Sequence, residues 1–210
     1  MTVLINRPVR EFVDEVASSS PAPGGGSVSA LAGALGAALG CMVARLTAGK
    51  PGYERVAGDV QKALEKLESL RGEMLRIVDE DTEAFNRVSA AFAMPKENGS
   101  QKLERSKAIQ EALKGAARVP LRLASRCSAA LDSLKVLATE GNPSASSDAG
   151  VGALLVHAGL MGAALNVEIN LKSIRDQEFS ERALKELGSS TAFAEDRLRE
   201  ILTACRSRMG

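Results

Sequence analysis

From Val28 to Ala44 the chain carries no charged residue, and Ser29, Gly33, Gly36 and Gly40 recur there three or four residues apart. That spacing puts all four on one face of an α-helix. Each glycine inside a helix costs roughly 1 kcal/mol relative to alanine, so a run of them makes sense where something must approach the backbone closely. Gly152, Gly159 and Gly162 repeat the pattern in a second apolar stretch. Two helices bared along one face call for tight helix–helix packing, within a subunit or across a subunit interface, or for a ligand lying against them. The first stretch is nearly long enough to span a membrane. Its Ala/Gly composition and the Arg45 that closes it instead predict a buried core helix.

Almost every other segment also repeats its apolar residues at helical spacing, and β-branched alternation is absent. Proline and glycine punctuate the pattern and divide it into helices at about 8–18, 27–48, 53–93, 101–139, 147–175 and 180–208. Breaks are expected at Lys50-Pro51-Gly52, at Pro95 with Asn98-Gly99, and at Gly141-Asn142-Pro143, and a kink at Pro120. No linker composition separates domains. The expectation is all-α: one domain over residues 1–210, a bundle of about six helices, two of them long, with the Gly/Ala-rich helices at its centre.

Composition excludes several function classes. Lys and Arg number 27 against 26 Asp and Glu, and aromatics make up 3% of the chain with no Trp. Neither a basic nucleic-acid surface nor a base-stacking platform fits that balance. Cys41, Cys127 and Cys205 are far apart and form no CxxC pair, so no zinc site or disulfide framework is expected, and reduced core thiols in a cytoplasmic protein are. His157 is the lone histidine, set in the apolar run Leu154-Leu155-Val156-His157-Ala158, where packing competes with a role as general base.

Chemistry concentrates at two loop-to-helix entrances and one carboxylate. In Ser20-Pro21-Ala22-Pro23-Gly24-Gly25-Gly26-Ser27, two prolines stiffen the chain and three glycines bare its N–H groups. Ser27 has the chemistry of an N-cap, and a helix N-terminus favours negative charge. The segment forms either a backbone-lined pocket or a flexible connector. The run from Gly141 and Asn142 to Asp148 builds a second entrance of the same kind. On the long third helix, the stripe Val56, Val60, Ala63, Leu67, Leu70, Met74, Ile77, Phe85, Val88 and Phe92 has Asp81 in its middle. A carboxyl there is costly to bury unless it is paired or protonated. It serves either general acid/base chemistry or interhelical hydrogen bonding. Asn166 and Asn170 share a face with the glycines of the fifth helix and could read the edge of a heterocycle or lock helices together.

Pro23-Gly24-Gly25-Gly26-Ser27, Met42-Val43-Ala44, Leu46-Thr47 and Gly49-Lys50 together resemble the cyclodeaminase domain of formiminotransferase-cyclodeaminase, a family that includes stand-alone methenyltetrahydrofolate cyclohydrolases. Asp81 with Ala84-Phe85, Pro95-Lys96, Gly141-Asn142 through Ser147-Asp148, and Asn166-Val167 with Ile169-Asn170-Leu171 extend the match over about residues 8–175. The resemblance implies an all-helical homodimer acting on one-carbon tetrahydrofolates without metal or redox cofactor, with no nucleic-acid or membrane partner. It implies Asp81 as the catalytic acid/base. Asn142, Asp148, Asn166 and Asn170 would hold the pterin or the reacting bridge, Lys50 and Tyr53 would lie near the aminobenzoate-glutamate portion, and Gly24, Gly25, Gly26 and Ser27 would line the pocket. Cyclohydrolase activity is the first expectation. Cyclodeaminase activity, fed by a separate formiminotransferase, is the alternative, and a folate-holding or oligomerisation module without turnover is the third.

Overall fold

The computed structural model describes residues 3–209, and among them there is no strand. Helices α1 (Val9–Val16), α2 (Gly25–Thr47), α3 (Ala57–Ala93), α4 (Gly99–Glu140), α5 (Ser146–Leu171), α6 (Gln177–Thr191) and α7 (Ala194–Met209) follow in order. Short 3-10 turns at Leu4–Asn6, Glu54–Val56 and Pro143–Ala145 lead into α1, α3 and α5. The all-α architecture expected from the periodicity is the one observed.

Helices α2, α3, α4 and α5 form the centre, each packed on the next and α5 closing back on α2. Leu67, Met74, Leu123, Leu131, Leu134 and Leu160 fill the space between them, all essentially excluded from solvent. Leucines are strong helix formers and bury large apolar areas, so the same residues build the helices and hold them together. α6 and α7 lean on α4 and α5 from outside.

The glycine tracks are packing surfaces. α2 and α5 run antiparallel, and a Cβ on Gly152 would lie 2.9 Å from the Gly36 carbonyl oxygen, while one on Gly36 would collide with the Gly152 carbonyl. At Gly159 a Cβ would lie 2.8 Å from the Ser29 carbonyl oxygen. Gly33 faces Met74 and Cys127, and Gly40 faces Leu67 and Leu134. No side chain fits where the two backbones touch.

Three details depart from the sequence expectations. The C-terminal segment is two helices, because Ala192 is extended and Phe193 takes a positive φ of 63°. That corner lets α7 turn back and bury Ala194, Ile201 and Cys205. Ser27 is not the N-cap of α2. The cap is Gly24, and Ser27 sits inside the first turn. Along α3 the buried side moves beyond Asp81 to Ala84 and Ala91, leaving Phe85 39% and Phe92 50% exposed. Pro120 lies inside α4 without ending it.

α2 and α5 are both long and apolar enough to cross a membrane by length and composition. One side of each is consumed by the packing just described. The other side keeps Leu35, Leu46, Leu154, Leu165 and Ile169 between 42 and 67% exposed. The result is one apolar surface, uncharged from Gly25 to Ala44 on α2 and between Asp148 and Glu168 on α5 apart from His157.

Gly36→Ala inserts a methyl group where backbone blocks it and should destabilise the fold by about 1–3 kcal/mol. Gly115→Ala, on α4 with nothing within 4 Å of the added carbon, should stabilise it by about 0.5–1 kcal/mol. Denaturant midpoints of the two variants should therefore move in opposite directions.

Candidate active site

α2 begins without a side-chain cap, because its N-cap residue is glycine. Its first N–H groups need partners from elsewhere. Asp81 on α3 reaches this terminus, where the Ser27 backbone N–H favours its charged form. The carboxyl also lies 3.1 Å from the Ser27 hydroxyl. Gly26 makes this approach possible, since a Cβ there would fall within 2.6 Å of Asp81 Oδ2 and closer still to its other carboxyl atoms. The glycine loop is thus shaped around a carboxylate of its own chain.

Ser27 is fully buried. Its hydroxyl donates to the Val78 carbonyl at 2.8 Å and lies 3.3 Å from the Thr82 hydroxyl. Burial pushes the Asp81 carboxyl above its ordinary value of 3.8, while the Ser27 hydroxyl and backbone N–H pull it down; burial prevails. An acid held in this way keeps its proton to higher pH than a solvated one, the property general acid/base work requires near neutrality.

A cavity of about 400 Å3 opens beside this cluster, lined by Leu4, Arg7, Pro21, Pro23, Asp79 and Thr82 among others. Asp81 itself is not in its wall; Thr82 is the link, bordering both the cavity and Ser27. No sequence pattern singles out Thr82 or Asp79. Asp79 accepts a hydrogen bond from the Leu4 N–H at 2.6 Å and so fixes the N-terminal turn over the cavity.

Asn166 belongs to the same end of the molecule. A Cβ on Gly25 would lie 3.5 Å from its amide nitrogen, which donates to the Gly162 carbonyl at 2.8 Å. Asn170 is committed to the fold, because its amide donates at 3.1 Å to the Ala116 carbonyl. That carbonyl is the one Pro120, four residues on and lacking an N–H, leaves without a helical donor.

The other four expected site residues lie at the opposite end of α2, about 33 Å away along its axis. Lys50 and Tyr53 line a smaller hollow of about 150 Å3 with Thr47 and Val60. Asn142 is buried, its backbone N–H donating to the Thr47 hydroxyl and its amide to the Leu46 carbonyl, while Oδ1 accepts from the Ser144 N–H. It builds the turn into α5, whose first turn carries Asp148. One chain therefore brings together Gly24, Gly25, Gly26, Ser27, Asp81 and Asn166, and holds Lys50, Tyr53, Asn142 and Asp148 apart from them.

His157 packs between α5 and α7 with Nε2 3.3 Å from Glu195, away from both ends. Among the described residues, no group of three or more His, Cys, Asp or Glu side chains is arranged to hold a metal ion.

A family model described as formiminotransferase-cyclodeaminase matches residues 8–189. Methenyltetrahydrofolate cyclohydrolase from Methylorubrum extorquens is 44% identical over 182 residues, 87% of this chain and 88% of that protein. Formimidoyltransferase-cyclodeaminase from Gallus gallus is 40% identical over 84% of this chain, which spans 32% of that longer protein. The crystal structure of formiminotetrahydrofolate cyclodeaminase from Thermotoga maritima superposes with a TM-score of 0.86 at 33% identity, covering 96% of this chain and 97% of that one.

If Asn170 serves Ala116, Asn170→Ala should cost about 1–3 kcal/mol by stranding that carbonyl. In a Pro120→Ala background, where residue 120 regains an N–H, the cost should shrink to a fraction of this. A double-mutant cycle by chemical denaturation reads the difference.

Proposed function

The chain belongs to the formiminotransferase-cyclodeaminase family, and on that premise we propose that it is a methenyltetrahydrofolate cyclohydrolase. The observation that carries the proposal is Asp81: a partly buried carboxyl of raised pKa at a helix N-terminus, one residue from the wall of a substrate-sized cavity. The similarity to a cyclohydrolase along 88% of that protein's length supports the choice of reaction.

In that reaction water adds to the methenyl carbon bridging N5 and N10, and Asp81 as carboxylate takes a proton from it. The tetrahedral carbon then releases N5, which receives a proton from Asp81 as the acid, and the formyl group stays on N10. One proton is released overall, and Asp81 returns to its starting state. Proton transfer rests on Asp81, and no metal or redox group is called on. Gly24, Gly25 and Asn166 border the reacting bridge. Asn142 is left out of the binding set, because its side chain is already committed to backbone partners. Lys50, Tyr53 and Asp148 can meet a substrate held at Asp81 only from another subunit.

A homodimer is part of the same proposal. The exposed residues of the α2/α5 face, Leu35, Leu46, Leu154, Leu165 and Ile169 among them, offer the apolar surface a stable interface buries. Its lack of charge suits an interface core. Leu165→Glu would place a charge at the most exposed of these positions and should convert the dimer to monomer in sedimentation. The three buried free thiols suit a reducing compartment, and we place the protein in the cytoplasm.

The second reading, formiminotetrahydrofolate cyclodeaminase, draws on the Thermotoga maritima neighbour. It uses the same tetrahedral carbon, closing N10 onto the formimino carbon and expelling ammonia, and needs a separate formiminotransferase to supply its substrate. Methenyltetrahydrofolate absorbs in the near ultraviolet. Enzyme-dependent loss of that band marks the cyclohydrolase, its growth from formiminotetrahydrofolate marks the cyclodeaminase, and silence in both with folate retained marks a binding module.

Asp81→Asn should lower turnover by about 10²–10⁴-fold, since the amide can still cap α2 but cannot exchange a proton. Its stability should move the other way. A carboxyl whose native pKa lies above the unfolded value stabilises the fold fully below that value, and the contribution is lost as pH rises through the native one. The Asn variant should then be the more stable protein at neutral pH, with the gap closing as pH falls through the native midpoint of Asp81 toward 3.8 and gone below it. Thermal melts at pH 7 and pH 3.5 check the sign.

A further inference from the structure

The Ser27 hydroxyl has one proton and two acceptors within reach, the Val78 carbonyl at 2.8 Å and Asp81 Oδ2 at 3.1 Å. It cannot donate to both at once. The carbonyl can only accept, whereas the carboxyl accepts when ionised and can donate when protonated. Full burial removes water as a substitute partner for Ser27. Only two arrangements pair Ser27 with Asp81 in good order. With Asp81 ionised, the Ser27 O–H turns to the carboxylate, and the Val78 carbonyl falls back on its helical N–H donor. With Asp81 neutral, the acid O–H donates to Ser27 Oγ, and Ser27 passes its own proton to Val78.

We propose that Ser27 is a positioning residue that lets Asp81 take up and give off a proton while keeping a hydrogen-bond partner in both states. The hydroxyl rotates between the Asp81 carboxylate and the Val78 carbonyl, and no proton crosses it. The proton itself comes and goes on the substrate side of Asp81. The inference rests on Asp81 as the acid/base of the reaction above, and it replaces the expectation that Ser27 touches substrate, which its burial prevents.

The placement fits nothing else around Asp81. The charged residues on the neighbouring elements are Asp79, bound to the Leu4 N–H; Glu80, paired with Arg122 of α4; Glu83, paired with Arg87; Glu168 on α5; and Lys172, which caps its C-terminus. Across the cavity Arg7 pairs with Glu15, and α2 has no charge before Arg45. None of these sets the protonation of Asp81, which is governed by burial and by Ser27. Thr82, at 3.3 Å, can donate to Ser27 Oγ in either state and so completes the cluster without deciding it.

The bond that Ser27 gives the carboxylate is charge-assisted and stronger than the neutral bond it accepts from the acid. Losing the hydroxyl therefore harms the ionised form more. In Ser27→Ala the titration midpoint of Asp81 should rise by half a pH unit or more, and the acid limb of the pH–rate profile should move with it. Turnover should fall about tenfold. The midpoint is read directly in the ligand-free protein from the infrared carbonyl stretch of the protonated acid, isolated by subtracting the Asp81→Asn spectrum. Ser27→Cys, which keeps a weak donor and nearly the same volume, should titrate between the two. A midpoint unchanged in both variants, even with slower turnover or lower stability, overturns the proposal and leaves Ser27 as packing alone. Because the infrared titration needs no folate, a chain inactive in both absorbance assays would still decide this question separately from the proposed reaction.

Discussion

The contact of α2 with α5, backbone on backbone at Gly36 and Gly152 and again at Ser29 and Gly159, sets the position of everything else. Helices that touch through glycine sit closer than side-chain packing permits, and they cannot slide without driving a carbonyl into a Cα. That contact fixes the height of the α2 N-terminus against α5, so that Gly25 meets Asn166. It also turns the adjoining edge of the same α2 face toward α3, where Gly33 and Gly40 receive Met74 and Leu67. Asp81 lies two turns beyond Met74 on the same side of α3. The meeting of Asp81 with Gly26 is a downstream result of glycine packing in the core.

Much of this was legible in the chain because helical periodicity, proline and glycine act locally. The bundle, the breaks near Pro51, Asn98 and Pro143, and the anomaly of Asp81 in an apolar stripe all follow from residues within a few turns of one another. What failed was non-local. Ser27 has the chemistry of a cap, but its hydroxyl faces a carboxylate 54 residues away in sequence, which no local pattern encodes. The corner at Phe193 lacks glycine and proline, so nothing in the sequence announced it; the burial of Ile201 and Cys205 against the bundle imposes it.

The candidate site was legible as a set of residues and illegible as a place. The loop at 24–27, Asp81 and Asn166 converge. Lys50, Tyr53, Asn142 and Asp148 sit at the far end of a helix whose length is simple arithmetic, but only the antiparallel pairing of α2 with α5 shows which motif falls at which end. Asn170 is the clearest case of a residue with two readings. Beside Asn166 it looks like part of a binding face, yet the carbonyl freed by Pro120 claims its amide. A helix that keeps a proline in its interior needs a donor from outside, and α5 provides it.

The Asp81 cluster concentrates opposing demands in a few ångströms. As the cap of α2, Asp81 serves best as a carboxylate, since N–H donors and the helix dipole both favour negative charge. As a buried group it is better neutral. Neither demand dominates completely, and that near-balance gives an acid that holds its proton to higher pH than a solvated carboxyl yet can still ionise. Replacing Ser27 or Gly26 with a larger apolar residue would settle the contest at the expense of proton exchange. Three glycines and a buried serine, poor helix formers at the head of the most apolar helix, are therefore what the site requires: room for the carboxyl, a backbone donor to hold its charge, and a hydroxyl that can face it in either state.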